Sequence, residues 1–197
     1  MTLFQKRRGR PSVVREYIES LLLAAVLALA IRTFVVQAFK IPTGSMRPTL
    51  VEGDRLLVNK FLYGAHIPGT PWRLPSLGRP QRGDVVVFRS PEDRRRDFIK
   101  RLAAMEGELV EIKQFQVWVN GQPVDAPPIF HALRYYNSGD YARQGLPVRV
   151  PEGHCFVLGD NSASSRDSRY WGFLPLDHLV GKAMVIYWPL KRIRVVR

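Results

Sequence analysis

Hydrophobic and polar positions divide the chain into two unequal parts. Leu21 to Ile31 (LLLAAVLALAI) is unbroken apolar sequence. After Arg32 and Thr33 the run resumes as Phe34-Val35-Val36 and ends with Ala38 and Phe39. Only Arg32 is charged between Leu21 and Phe39. Nineteen residues at ~1.5 Å each span roughly 28 Å, close to the hydrocarbon thickness of a bilayer. Arg32 stands about two turns from the end of the run, within snorkelling reach of the interface. The pattern predicts a transmembrane anchor over 17–39. Lys6, Arg7, Arg8, Arg10 and Arg15 precede it, which keeps residues 1–16 in the cytoplasm and sends the rest across. Two other readings compete. One is a cleavable signal peptide with Ala28-Leu29-Ala30 as its site. The other is a buried or interfacial helix. Length favours the anchor.

Beyond residue 40 the pattern shifts to short apolar runs between turn residues. Arg55–Val58, Val85–Phe88, Leu109–Ile112, Gln116–Val119, Cys155–Leu158, Leu179–Trp188 and Arg192–Arg197 read as strands. Asn120-Gly121 is a hairpin signal. Phe98–Met105 fits either a strand or a short helix. The Pro- and Gly-rich stretches 64–82 and 125–149 read as loops. Many β-branched strands at close spacing predict a mainly β, antiparallel, sheet- or barrel-like domain over 40–197.

Composition then removes several functions. One cysteine, Cys155, excludes an internal disulfide and any two-thiolate metal or redox site. No two of the 15 glycines stand two positions apart, so dinucleotide fingerprints are absent, as are GxxxxGK[ST], HExxH, GxSxG and SxxK. Of the net charge of +13, residues 41–197 carry +8 (23 Lys and Arg against 15 Asp and Glu), which suits attraction to an anionic bilayer, or simply a soluble basic surface. The N-terminal basic cluster could contact nucleic acid, but beside an apolar run it reads as a topology signal.

Candidate chemistry lies in three segments. The histidines (His66, His131, His154, His178) have no metal-ligand or triad spacing. His154 could face Asp160, although it sits in a turn entering a strand. Ile41-Pro42-Thr43-Gly44-Ser45-Met46-Arg47-Pro48 presents Ser45 on a Pro/Gly turn, as a nucleophile or as an ordinary turn residue. A serine without a histidine needs another base, and a desolvated lysine is the alternative. Of Lys60, Lys100, Lys113 and Lys182, Lys100 has the most apolar context, between Phe98-Ile99 and Leu102-Ala103-Ala104. A snorkelling surface lysine is the competing reading. The third segment, Gly159–Phe173, is rich in Asp, Ser and Arg. It is either a polar loop of Asx and Ser turns or a support. In the second case Asp167 and Arg169 could pair, and Ser165 or Ser168 could accept from a lysine.

Taken together, the segments resemble type I bacterial signal peptidase, the membrane-bound Ser/Lys endopeptidases of family S26. PTGSMRPTL, GDRLLVNKF, RGDVVVF with DFIKRL, and GDNSASSRDSRYWGF occur in the family's order behind an N-terminal span. The resemblance implies Ser45 as nucleophile and Lys100 as general base. It further implies Thr43 and Ser45 at the oxyanion hole, Ser165 orienting Lys100, Asp167 and Arg169 as a structural pair, and Asp160 supporting the same loop. Two departures stand out. Thr43 replaces a common serine, and Met105-Glu106-Gly107-Glu108 replaces a Pro-Gly-Asp turn. The short loops imply a small member without a large accessory domain.

The implied activity is removal of signal peptides from translocated preproteins after small residues of Ala-x-Ala type, without metal or cofactor. The expected partners are preproteins and the lipid bilayer, with the secretion translocon as a neighbour and no nucleic acid. The implied place is the cytoplasmic (inner) membrane, single-pass, with the catalytic domain on the extracytoplasmic side. We place the pocket walls near Ile41, Pro42 and Val86. Rival readings are a cytosolic repressor-type autoprotease, a membrane-tethered basic binding module, and a specialised peptidase of the same family.

Overall fold

The computed structural model describes residues 13–197 except 66, 68, 69 and 71. Lys6, Arg7, Arg8, Arg10 and His66 therefore lie outside the described residues. Helix α1 (Val13–Ala30) continues into a wider turn, Ile31–Val35, in which Val36 N–H donates to the carbonyl of Ile31. The whole stretch Val13–Val35 is long and apolar enough to cross a membrane, and the rest of the protein buries none of its most apolar 18 residues. The helical segment ends earlier than the predicted 39. Val36–Lys40 forms strand β1, paired with β2 (Arg55–Asn59) in the register Val36↔Asn59 to Lys40↔Arg55. The reason is a change of period. Phe39 packs on the core while Ala38 and Lys40 face outward, and two-residue alternation suits a strand.

Every strand pairing is antiparallel. One curled, half-barrel sheet follows the order β1-β2-β11-β3-β4-β9-β10, with β12 beside β11. Its further strands are β3 (Val85–Arg89), β4 (Asp97–Met105), β9 (His154–Leu158), β10 (Leu174–Pro175), β11 (Leu179–Trp188) and β12 (Arg194–Val195). A smaller sheet orders β7 (Gln122–Pro123), β6 (Gln116–Val119), β5 (Leu109–Lys113) and β8 (Val148–Arg149). Asn120 and Gly121 both take positive φ at the β6–β7 turn, as an Asn-Gly hairpin demands. The segment 98–105, which the sequence left open, is strand. Among the described residues the long loops carry a short helix, α2 (Ile129–Ala132), and strand β8, both in 125–149.

Strand β4 places the candidate base. It lies between β3 and β9, with Val86↔Lys100, Val85↔Arg101 and Arg101↔Leu158 as partners. A central strand covered on both faces buries consecutive residues, so Lys100 to Ala104 are all buried. Alternation sends Lys100 to one face and Arg101 to the other. Leu56, Val58, Val85, Val87 and Ile186 fill one part of the core; Val86, Phe88, Leu102 and Val157 fill another.

Strands β11 and β2 meet unusually closely at Gly181. A Cβ there would fall 2.3 Å from the main-chain oxygen of Asn59, which cannot rotate away. Gly181→Ala is expected to lower the stability of the detergent-solubilised chain by about 1–3 kcal/mol, read as a fall in melting temperature. An unchanged melting temperature would mean that the two strands part without cost.

Candidate active site

Ser45 lies in a single 3₁₀ turn, Gly44–Met46, directly after β1. Ile41 and Met46 anchor the turn in the core at 3% and 0% exposure, while Ser45 between them stays half-buried. Two hydrogen bonds tie the turn to the loop after β9. Asn161 N–H donates to the carbonyl of Ser45, and Asn161 Nδ2 donates to that of Gly44, both at 3.0 Å. Gly159 makes this approach feasible. A Cβ there would fall 2.6 Å from the Ser45 carbonyl oxygen and 2.1 Å from Ser165 Oγ.

Lys100 Nζ donates to Ser45 Oγ at 2.7 Å. The lysine is 5% exposed, and its ammonium lies 5.9 Å from the centroid of the Phe98 ring. Burial pushes its pKa down to about 8, with Arg169 adding to the effect and Asp167 and Asp160 opposing it. A serine hydroxyl bonded to such an amine can lose its proton near neutral pH. Ser45, Lys100 and Thr43 line one cleft of about 560 Å³, together with Pro42, Phe98 and Arg96. Ile41 and Val86 do not line it. Both are buried in the core, Ile41 at 3% exposure and Val86 at 0%, because their strand and turn positions point inward. Of the three wall positions expected, Pro42 alone borders the cleft.

The polar loop 159–169 is built from two arginine–carboxylate pairs. Asp167 receives Arg169 Nε and Nη2, both at 2.8 Å, with both side chains fully buried. Asp167 also caps the short helix α3 (Ser168–Trp171), accepting from Arg169 N–H, and accepts Gly159 N–H at 2.9 Å. Arg169 then reaches Ser162 Oγ and the carbonyl of Tyr136. Asp160 receives Arg101 Nε at 2.8 Å and Nη2 at 2.7 Å, and accepts the Thr49 hydroxyl. Asp160 thus holds the far end of the Ser45 segment to the loop. Ser168 does not reach the lysine; its Oγ accepts Val157 N–H at 3.0 Å. Nor does a hydrogen bond join Ser165 to Lys100: Ser165 Oγ is buried without a partner.

Arg101, Thr49 and Asn161 escaped the sequence reading. Arg101 had a signal, since an arginine inside the apolar stretch Phe98–Ala104 requires a buried counter-charge. The described histidines lie elsewhere. His154 meets the carbonyl of Glu152, His178 that of Arg89, and His131 faces Asp125. Among the described residues no cluster of His, Cys, Asp or Glu could hold a metal ion.

The sequence model for "Signal peptidase, peptidase S26" matches residues 14–188. A signal peptidase I of Pseudomonas fluorescens is 35% identical over 95% of this chain and 77% of its own length. A probable signal peptidase I-1 of Synechocystis is 39% identical over 91% of this chain and 85% of its own. Signal peptidase I P of Bacillus subtilis subsp. natto is 30% identical over 98% of both chains. The chain belongs to the S26 peptidase family of signal peptidases.

Proposed function

We propose that this protein is a membrane-bound serine endopeptidase that removes signal peptides from translocated preproteins, with Ser45 as nucleophile and Lys100 as general base. The observation that supports it most is the buried Lys100 amine, 2.7 Å from Ser45 Oγ at the wall of an open cleft. One apolar helix and the family fit a single-pass inner-membrane protein. We place the catalytic domain on the extracytoplasmic side, because the basic residues before the helix favour the cytoplasm. There the domain meets signal peptides that are still in the bilayer, and sharing one membrane raises the effective concentration of enzyme and substrate.

In this mechanism neutral Lys100 takes the proton of Ser45 Oγ as the oxygen attacks the scissile carbonyl. The resulting oxyanion is met by the Ser45 main-chain N–H, at the start of its turn, and by the Thr43 hydroxyl. Lys100 returns the proton to the leaving amine. Lys100 then deprotonates water, whose attack frees the acyl group and regenerates Ser45. An extended substrate segment suits addition along a strand edge, with small residues at the Ala-x-Ala positions. Ser165 is assigned the task of receiving a Lys100 hydrogen when the amine turns from Ser45, which would occupy its otherwise unpartnered hydroxyl.

The test is cleavage of a preprotein bearing an Ala-x-Ala site by the detergent-solubilised chain. Ser45→Ala and Lys100→Arg should each lose more than about a thousandfold, the second because arginine stays protonated. Full activity of Lys100→Arg would end the proposal. Thr43→Val should lose roughly a hundredfold in kcat, with Thr43→Ser unaffected.

The pH dependence has a definite sign. The base must be neutral, so kcat/KM should rise as pH rises through about 8 and level off above it. A profile flat from pH 6 to 9 would exclude Lys100 as the base.

The same burial has a cost in stability. Lys100 titrates near 10.5 as a free side chain and near 8 in the folded chain. The folded state therefore binds fewer protons between these values. The penalty is complete below about pH 8 and fades as pH rises to 10.5, and it amounts to about 3 kcal/mol. Lys100→Met should melt higher than the parent at pH 7, and the gap should close toward pH 10. A parent as stable as Lys100→Met at pH 7 would mean that the lysine is not desolvated.

A further inference from the structure

Where the anchor meets the domain, a second cleft of about 630 Å³ opens between the end of α1 and strands β1 and β2. It shares no lining residue with the Ser45 cleft. Its lining divides by polarity: Leu29 and Leu57 are apolar, and Arg32 and Lys60 are cationic. Among the described residues neither cation has a carboxylate within ion-pair distance.

Lys60 is fixed in place. Its Nζ donates to the carbonyl of Thr33 at 2.7 Å and its main-chain N–H to that of Val35 at 2.9 Å. The last carbonyls of a helix lack partners within it, and here one residue supplies two donors. Burial and the charge of Arg89 push the Lys60 pKa down, with Asp97 opposing. An arriving anion would supply the missing counter-charge.

Depth selects the anion. The stretch Val13–Val35 has 23 residues, or about 35 Å of helix against roughly 30 Å of hydrocarbon. Its last turn, with Arg32, thus emerges among the headgroups on the side of the domain. A soluble anion has no use for the leucine wall. A phospholipid fits both halves of the cleft.

We propose that this cleft binds an anionic phospholipid, its phosphate between Arg32 and Lys60 and the start of an acyl chain against Leu29 and Leu57. The site rests on the membrane reading of α1. β1, which borders the cleft, leads directly through Ile41 to the Ser45 turn, so a lipid held there steadies the strand that delivers Ser45.

The test reconstitutes the full chain in phosphatidylcholine vesicles with spin-labelled phosphatidylglycerol or spin-labelled phosphatidylcholine. The readout is the motionally restricted fraction of each. The parent should prefer phosphatidylglycerol. Arg32→Gln and Lys60→Gln should each reduce that preference about fivefold, the effect of one well-placed cation. Lys191→Gln, an exposed cation outside the cleft, should leave it unchanged. Arg32→Gln should also keep the parent's melting temperature in detergent without added phosphatidylglycerol, which separates lipid loss from misfolding. Equal effects of Arg32→Gln and Lys191→Gln would overturn the site in favour of general surface charge. Displacement of phosphatidylglycerol by inorganic phosphate at constant ionic strength would overturn the lipid as ligand. Failure of the parent to float with vesicles would instead remove the membrane reading itself.

Discussion

The site depends on keeping water away from one amine. A lysine in water is protonated at neutral pH and holds no lone pair for a proton. Desolvation is the largest force lowering that pKa here, and it requires walls on all sides but the cleft. Strand β4 supplies it: Lys100 sits mid-sheet between β3 and β9, with Val86 as its register partner and Phe98 nearby. A lysine on an exposed helix or an edge strand could not be held this way. For the base role proposed for Lys100, the central position of β4 is a chemical requirement as well as a packing outcome.

That requirement explains the ion pairs around the site. The loop 159–169 must come close to Lys100 without drowning it in either sign of charge. Asp160 and Asp167 alone would hold the ammonium protonated. Pairing them with Arg101 and Arg169 leaves each unit near neutrality, so burial prevails and the pKa falls. Buried pairs of this kind add little net stability over apolar residues of the same size, yet losing one partner strands a buried charge. Their value here is positional. Through Thr49 and Arg101, Asp160 holds the end of the Ser45 segment, and through Gly159 N–H and Ser162, the Asp167–Arg169 pair shapes the loop that carries Asn161.

The sequence made much of this legible, for reasons that differ by element. The apolar runs at Val85–Phe88 and Leu109–Ile112 stood out because turn residues bound them, and the structure buries the first continuously and the second at alternate positions. Phe98–Met105 stayed ambiguous, because a strand buried on both faces loses its alternation and resembles a short helix. The anchor's end was overrun for the opposite reason. Val36, Ala38 and Phe39 are as apolar as the helix before them, and composition does not register a change of period across so few residues. Ser45 and Lys100 were reached through motif order and through the apolar setting of one lysine. Ile41 and Val86 were misplaced as cleft walls because proximity in sequence to Ser45 and Lys100 does not say which face a side chain takes. Asn161 and Thr49 could not be read at all, since their role arises from contacts more than a hundred residues apart.

The join between helix and sheet also bears on catalysis. An anchored protease gains from sharing a membrane with its substrate only if its cleft stands at the right height and angle. A flexible linker would give up much of that gain to orientational averaging. Here α1 runs through the turn Ile31–Val35 straight into β1, which ends at Lys40, five residues before Ser45. Lys60 closes the corner by donating to Thr33 and Val35 from the end of β2. Tilt of the helix is therefore coupled to the first two strands of the sheet, and through them to the turn that presents the serine. On the proposed membrane reading, the bilayer sets that tilt and so takes part in positioning Ser45.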